Sequence, residues 1–168
     1  MIKLRTYQEE IINSIRSNLR NGINSMVTQL ATGGGKTVIF SFIVKSASEK
    51  NNRCLILTNR IELLEQAGGT FSNLDIRYEN ITSKTKSVPR SLVSVAMVET
   101  LNNRLKRRLD FQMWFKTLDI IIIDECHIAS FDKLFDFIEP NQIVLGFSAT
   151  PQRKGKMKPM SDFFSELL

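Results

Sequence analysis

Residues 25–48 read SMVTQLATGGGKTVIFSFIVKSAS, and the centre of that stretch decides the fold. Ser25–Leu30 is a short run of the kind buried as a strand. Thr37–Ser48 carries Val38, Ile39, Phe40, Phe42, Ile43 and Val44, which make a helix apolar around most of its circumference. Between them stand Gly33, Gly34 and Gly35, followed by Lys36 and Thr37. Glycine reaches left-handed dihedrals freely and lets main-chain N–H groups come close to a ligand. A strand that feeds such a loop straight into a helix aims those N–H groups and the helix N-terminus at one point, where an anion is held. The spacing therefore predicts a phosphate-binding loop over Thr32, Gly33, Gly34 and Gly35, with Lys36 on the terminal phosphates and the Thr37 hydroxyl on Mg²⁺. The strict GxxxxGK[ST] pattern has a glycine where this chain has Leu30.

Outward from the loop, the apolar pattern alternates between helix and strand. Tyr7–Leu19 places Ile11, Ile12, Ile15 and Leu19 at helical spacing and stops at Asn21-Gly22. Downstream, strands are expected at Cys54–Leu57, Leu92–Val95, Leu118–Ile123 and Ile143–Phe147. Helices are expected at Arg60–Phe71, Glu99–Arg108 and Phe131–Ile138, and Thr82–Arg90 reads as the most loop-like and mobile region. Such alternation implies an α/β fold with a mostly parallel sheet, helices on both faces and right-handed crossovers, and ligands at the carboxyl ends of the strands.

Composition bounds the reading. The chain of 168 residues, 42% hydrophobic and 24% charged, is one soluble domain's worth, and its apolar runs are too short to span a bilayer. The N-terminus lacks the apolar core of a secretion signal, so a cytoplasmic or nucleoid-associated protein with no membrane partner is expected. Cys54 and Cys126 form neither a metal spacing nor a disulfide framework and read as reduced thiols. A net charge of +6 fits a polyanionic partner. The charge is concentrated in Lys84, Lys86, Arg90, Arg104, Lys106, Arg107 and Arg108, and again in Arg153, Lys154, Lys156 and Lys158. Either cluster alone also reads as a solvated face.

A second acidic element completes the chemistry that a phosphate loop begins. The apolar run Ile120-Ile121-Ile122-Ile123 leads directly into Asp124-Glu125-Cys126-His127, which puts two carboxylates at the exit of a buried strand. Asp124 is expected to hold Mg²⁺, and Glu125 to activate the attacking water. Such a pair alone also reads as a helix N-cap with a first-turn acid. Its place on the sheet edge that carries the phosphate loop favours catalysis.

Together these segments resemble superfamily 2 helicases of the DExH branch. In order, ATGGGKT, IIIDECH and GFSATPQR (Gly146–Arg153) are similar to motifs I, II and III of that family. LRTYQEE (Leu4–Glu10) resembles its adenine-reading segment, LTNRIELLEQ (Leu57–Gln66) its motif Ia, and SVAMVETLNNR (Ser94–Arg104) its next nucleic-acid-contacting motif. The pattern is similar to DNA-repair and transcription-factor helicases, type I restriction translocases and phage helicases.

The resemblance implies a RecA-like ATP-binding domain over residues 1–168, using ATP and Mg²⁺, with Lys36, Asp124, Glu125 and His127 as the catalytic set. It implies that Gln8 reads adenine while Arg5 stacks on the ring, and that His127 connects the γ-phosphate to Ser148 and Thr150 to couple hydrolysis to the nucleic-acid face. Arg60 and Thr100 are the implied backbone contacts to DNA or RNA, DNA being favoured. The family's usual threonine at the start of the second of these motifs is replaced by Ala96. The family's motor has a second RecA-like domain carrying arginine fingers; nothing after Ser148-Ala149-Thr150 resembles one, so this chain is expected to be the first half, slow or inactive alone. Two other classes are weighed beside this: a different P-loop NTPase or kinase, which leaves DECH and SAT unexplained, and a binding module with little hydrolysis, against which stand intact Lys36, Thr37, Asp124 and Glu125.

Overall fold

The structure, a computed structural model, describes residues 3–31, 33–59, 69–151 and 158–168. Seven strands form one sheet in the order β3-β4-β2-β5-β6-β1-β7. They are β1 (Ser25–Gln29), β2 (Cys54–Thr58), β3 (Tyr78–Ile81), β4 (Val93–Met97), β5 (Ile120–Asp124), β6 (Ile143–Ser148) and β7 (Glu166–Leu167). Every pairing is parallel. The helices are α1 (Thr6–Arg20), α2 (Lys36–Ser48), α3 (Val98–Arg107) and α4 (Leu109–Lys116), with 3₁₀ segments at Ala129–Phe137 and Met160–Asp162. This is the α/β architecture with a parallel sheet expected from the alternation of elements, and it agrees with the RecA-like fold that the resemblance implies.

The two-residue period of the strands sorts the core into two layers. Met26, Ile56, Val95, Ile122 and Leu145 face one side, where Ile12 and Ile15 of α1 and Ile39, Phe40 and Val44 of α2 cover them. Val27, Leu55, Leu57, Ile121, Ile123 and Val144 face the other, beneath Leu101 and Leu105 of α3, Phe111 and Phe115 of α4, and Phe131 and Leu134. A sheet covered on both faces needs strands apolar on both faces, which is why β5 is an unbroken run of isoleucine before its acid.

Several elements differ from the sequence reading. The segment expected as a helix over Phe131–Ile138 is a 3₁₀ helix, Ala129–Phe137. Its buried anchors Phe131 and Leu134 lie three residues apart, and a three-residue turn stacks such positions on one line. The strand β3, the helix α4 and the short strand β7 were not anticipated. Strand β3 exposes both Glu79 and Asn80, so it lacks the apolar run that marks the inner strands. Of the helix expected at Arg60–Phe71, residues 60–68 lie outside the described residues; 69–73 are helical.

Because all strands run the same way, their carboxyl ends share one edge. Gln29, Ser148 and Asp124 lie side by side there, with β6 between the strand that feeds the glycine loop and the strand that ends in the acids. Thr58, Met97 and Ile81 end the strands at the opposite end of that edge.

Candidate active site

The glycine loop is shaped by its own backbone and by α1. Gly34 N–H donates to Ala31 O at 2.9 Å, and Leu30 N–H ties the loop to Ser148 O at 2.9 Å. Gly35 precedes α2 at φ 74°, a left-handed value that glycine takes without strain. It also needs to be bare: a Cβ there would collide with the Gln8 amide nitrogen. The first turn of α1 lies against the loop. Tyr7 Oη donates to Gly34 O at 2.8 Å, Gln8 Nε2 points at the same carbonyl at 3.5 Å, and Gln8 Oε1 accepts from Arg5 N–H at 2.9 Å. Gln8 is thus buried and partly engaged with its own chain, whereas Arg5 is exposed. Thr32 lies outside the described residues.

Lys36 meets both acids. Its Nζ donates to Glu125 Oε1 at 2.5 Å and lies 3.9 Å from Asp124 Oδ1. All three side chains are nearly enclosed, at 11% exposure for Lys36, 3% for Asp124 and 7% for Glu125. In so dry a place an ammonium and a carboxylate attract each other more strongly than in water. Glu125 has φ 52°, unusual for a side-chain-bearing residue and costing about 1–2 kcal/mol. That turn swings the chain off β5, while Cys126 N–H donates to Phe147 O at 3.1 Å and anchors it to β6.

The turn then delivers His127 to the neighbouring strand end. His127 Nδ1 and Ser148 Oγ are 2.8 Å apart, Glu125 Oε2 lies 3.5 Å from the same nitrogen, and Thr150 N–H donates to Ser148 Oγ at 3.1 Å. Lys36, Glu125, His127, Ser148 and Thr150 therefore form one connected polar chain from the glycine loop to the residues after β6.

The residues present fit Mg²⁺ carried with a nucleotide. Asp124 supplies a buried carboxylate at the strand end, and Thr37 sits half-buried in the first turn of α2. Among the described residues no cluster of three or more His, Cys, Asp or Glu could hold a metal by itself. Mg²⁺ takes most of its ligands from phosphate oxygens and water, so one carboxylate and one hydroxyl suffice.

At the β3–β4 end of the edge the cationic cluster divides. Arg104 Nη2 donates to Ser83 O at 3.0 Å and Thr82 O at 3.4 Å, and Arg108 Nη1 donates to Lys86 O at 2.7 Å. Both guanidinium groups lie over the Phe111 ring, at 5.6 and 4.8 Å from its centroid, and Asp110 holds Arg108 through two hydrogen bonds. The Thr82–Thr85 turn is closed by Thr85 N–H to Thr82 O at 3.1 Å and Thr82 N–H to Thr85 Oγ1 at 2.8 Å. Lys84, Lys86, Lys106 and Arg107 remain exposed. Thr100 is half-buried in the first turn of α3 at this end; Arg60, Arg153, Lys154 and Lys156 lie outside the described residues. Sequence reasoning missed Tyr7, to which only its adjacency to Gln8 pointed, and counted Arg108 in the cationic cluster without its contact to Lys86 O, because both partners are distant in the chain.

Comparisons with known proteins agree with this architecture. The family model described as "Type III restriction enzyme, res subunit" matches residues 1–153. IRC3 of Saccharomyces cerevisiae, named as an ATP-dependent helicase, is 34% identical over 91% of this chain, which corresponds to 24% of that protein. The type I restriction enzyme EcoKI endonuclease subunit of Escherichia coli is 30% identical over 74% of this chain and 11% of its own length. The chain thus spans a quarter or less of these relatives. Among solved structures, the UvsW helicase from bacteriophage T4 superposes with a TM-score of 0.76 at 20% identity, covering 99% of this chain and 60% of that one. The type ISP restriction-modification enzyme LlaGI, solved with a DNA substrate mimic, gives 0.73 at 19% identity over 99% of this chain and 19% of its own, a likeness of fold. With the loop, the acid turn and the matched family in agreement, the chain belongs to the type III restriction enzyme res-subunit family and is a helicase-type ATPase domain of superfamily 2.

Proposed function

We propose that this domain binds ATP with Mg²⁺ and hydrolyses it in response to nucleic acid, as the first of two RecA-like domains of a helicase or duplex translocase. The observation that carries the reading is the convergence of Lys36 on Glu125 at 2.5 Å and on Asp124 at 3.9 Å, which brings a loop and an acid turn from separate strands to one point.

In this reading the loop N–H groups and the α2 N-terminus receive the phosphates, and Lys36 moves its charge from the carboxylates to the β- and γ-phosphate oxygens. Gln8 and Arg5 stand beside the loop where the adenine would lie, with a guanidinium free to stack and one amide hydrogen still to give. Thr37 and Asp124 would hold Mg²⁺, which would supply neutralisation of charge on the phosphates. Glu125, released from Lys36, accepts a proton from the attacking water as its oxygen bonds to the γ-phosphorus and the bond to the ADP oxygen breaks. His127 feels that change at Glu125 Oε2 and passes it to Ser148 and Thr150 through the 2.8 Å contact. A kinase or a purely binding fold would leave this His127–Ser148 link without use.

The partner is a nucleic-acid backbone, with Arg60, Thr100 and the exposed lysines at the β3–β4 end as contacts. DNA is favoured because the relatives and neighbours include restriction enzymes, one of them solved on a DNA mimic. The second RecA-like domain supplies the arginine finger, worth about 10³–10⁵ in turnover. The cytoplasm or nucleoid is the corresponding place of action; no helix among the described residues is long and apolar enough to cross a membrane. The test is ATP turnover by the full-length protein with no nucleic acid, DNA or RNA. Stimulation by either supports the reading, and turnover indifferent to both contradicts it.

A further inference from the structure

The C-terminal segment 158–168 is joined to the catalytic edge at a point the sequence motifs do not mark. It lies along β1: Ser25 Oγ donates to Phe163 O at 2.8 Å, Ser165 N–H to Ser25 O at 3.0 Å, and Leu168 N–H to Val27 O at 2.8 Å. This fixes Phe164, 6% exposed, beneath β6 on the layer that holds Cys126. Gly146, two residues before Ser148, lies between Ile123 of β5 and Val27 of β1. A Cβ on Gly146 would stand 2.7 Å from Phe164 Cζ and 2.8 Å from Cys126 Sγ. The space a side chain would take at Gly146 is therefore filled jointly by the Phe164 ring and the Cys126 thiol. Phe164 is itself wedged edge-on against Phe135, with ring centroids 5.6 Å apart.

Cys126 stands between the two residues whose placement the proposed chemistry requires. Glu125 holds a left-handed backbone that must be stabilised by its surroundings, and His127 must reach Ser148. Two anchors of the Cys126 position are its N–H on Phe147 O and its packing at Gly146. We infer that Phe164 is a positioning residue for ATP hydrolysis: by filling the Gly146 notch against Cys126 it locks the acid turn so that Glu125 faces Lys36 and His127 faces Ser148. The inference rests on the ATPase reading above. Phe164 touches no reacting atom, and its effect runs through Cys126.

The experiment measures ATP turnover and KM of full-length protein carrying Phe164→Ala, Gly146→Ala, or the paired exchange Gly146→Ala with Phe164→Leu, each normalised to folded protein by its melting amplitude. A misplaced acid turn lowers kcat by about ten-fold in each single variant while KM for ATP stays within about two-fold, since the loop that binds phosphate is untouched. The paired exchange removes the ring atoms that the new methyl meets but leaves its contact with Cys126 Sγ, and so recovers part of the lost kcat. If Phe164→Ala does not fold, Gly146→Ala and the exchange carry the same comparison. Unchanged kcat per folded molecule in the single variants, or no recovery in the exchange, overturns the inference while Glu125→Gln still abolishes turnover. Absence of turnover in the unaltered protein overturns the inference and the ATPase reading together.

Discussion

The two ends of the sheet's carboxyl edge use their basic residues in opposite ways. At the β1–β6–β5 end Lys36 is 11% exposed and turned onto two buried acids. At the β3–β4 end Arg104 and Arg108 are turned onto backbone carbonyls of residues 82–86, leaving Lys84 and Lys86 in water. A cation that binds a ligand cannot be recognised by counting charge; it is recognised by what already satisfies it. Lys36 is matched to groups that a phosphate can replace. Arg104 and Arg108 are matched to their own fold, and the lysines they hold out are the ones open to a partner.

The largest expected effect falls on the first end. Glu125→Gln keeps the shape of the side chain and removes the base, so turnover by the full-length protein falls by about 10²–10⁴-fold while ATP with Mg²⁺ still binds, read by steady-state kinetics beside calorimetry. Lys36→Ala removes a charge-assisted contact to phosphate and leaves Asp124 and Glu125 side by side without their cation. ATP affinity falls by at least about ten-fold in calorimetry.

At the second end the effects are smaller and differ in kind. Lys84→Ala and Lys86→Ala each reduce the slope of log affinity against log salt for nucleic acid by about one, regardless of base sequence. Arg108→Ala, although it deletes a charge from the same cluster, weakens binding by loosening the 82–86 turn, so affinity falls by a few-fold with a nearly unchanged slope.

The smallest effect is a pH dependence at the β3 edge. Partial burial pushes the Glu79 carboxyl up, but the Ser91 and Arg90 N–H groups that donate to it, at 2.7 and 2.9 Å, together with the Arg90 charge, hold it below its ordinary value. Its contribution to stability is therefore present above the unfolded pKa and is lost as pH falls through the folded one. Because Glu79 is exposed the contribution is small, and the melting temperatures of wild type and Glu79→Gln converge as pH falls through the folded-state pKa of Glu79.

Legibility in the sequence follows the same division. The buried strands β2, β5 and β6 and the helix α2 announce themselves because burial on two faces demands long apolar runs, and the glycine loop because its backbone conformation demands glycine. The acids at 124 and 125 follow from the strand that ends there. The edge strand β3 has no such demand on it, and α4 depends on Phe111, Trp114 and Phe115 finding a layer made by distant residues. Nor could local pattern reveal that Arg108 reaches back 22 residues to Lys86, or that Phe164 fills a notch at Gly146. Those contacts are products of topology, in which neighbours in space are far apart in the chain.

If the two ends are separate sites, one for hydrolysis and one for a polyanion, a crossed comparison of variants separates their effects. Full-length Glu125→Gln and the Lys84→Ala/Lys86→Ala double variant are each measured for maximal ATP turnover at saturating nucleic acid and for nucleotide-free nucleic-acid affinity at two salt concentrations. With separate sites, the first loses turnover and keeps salt-dependent binding, while the second keeps maximal turnover and loses affinity. Parallel loss of both properties in either variant would contradict that separation.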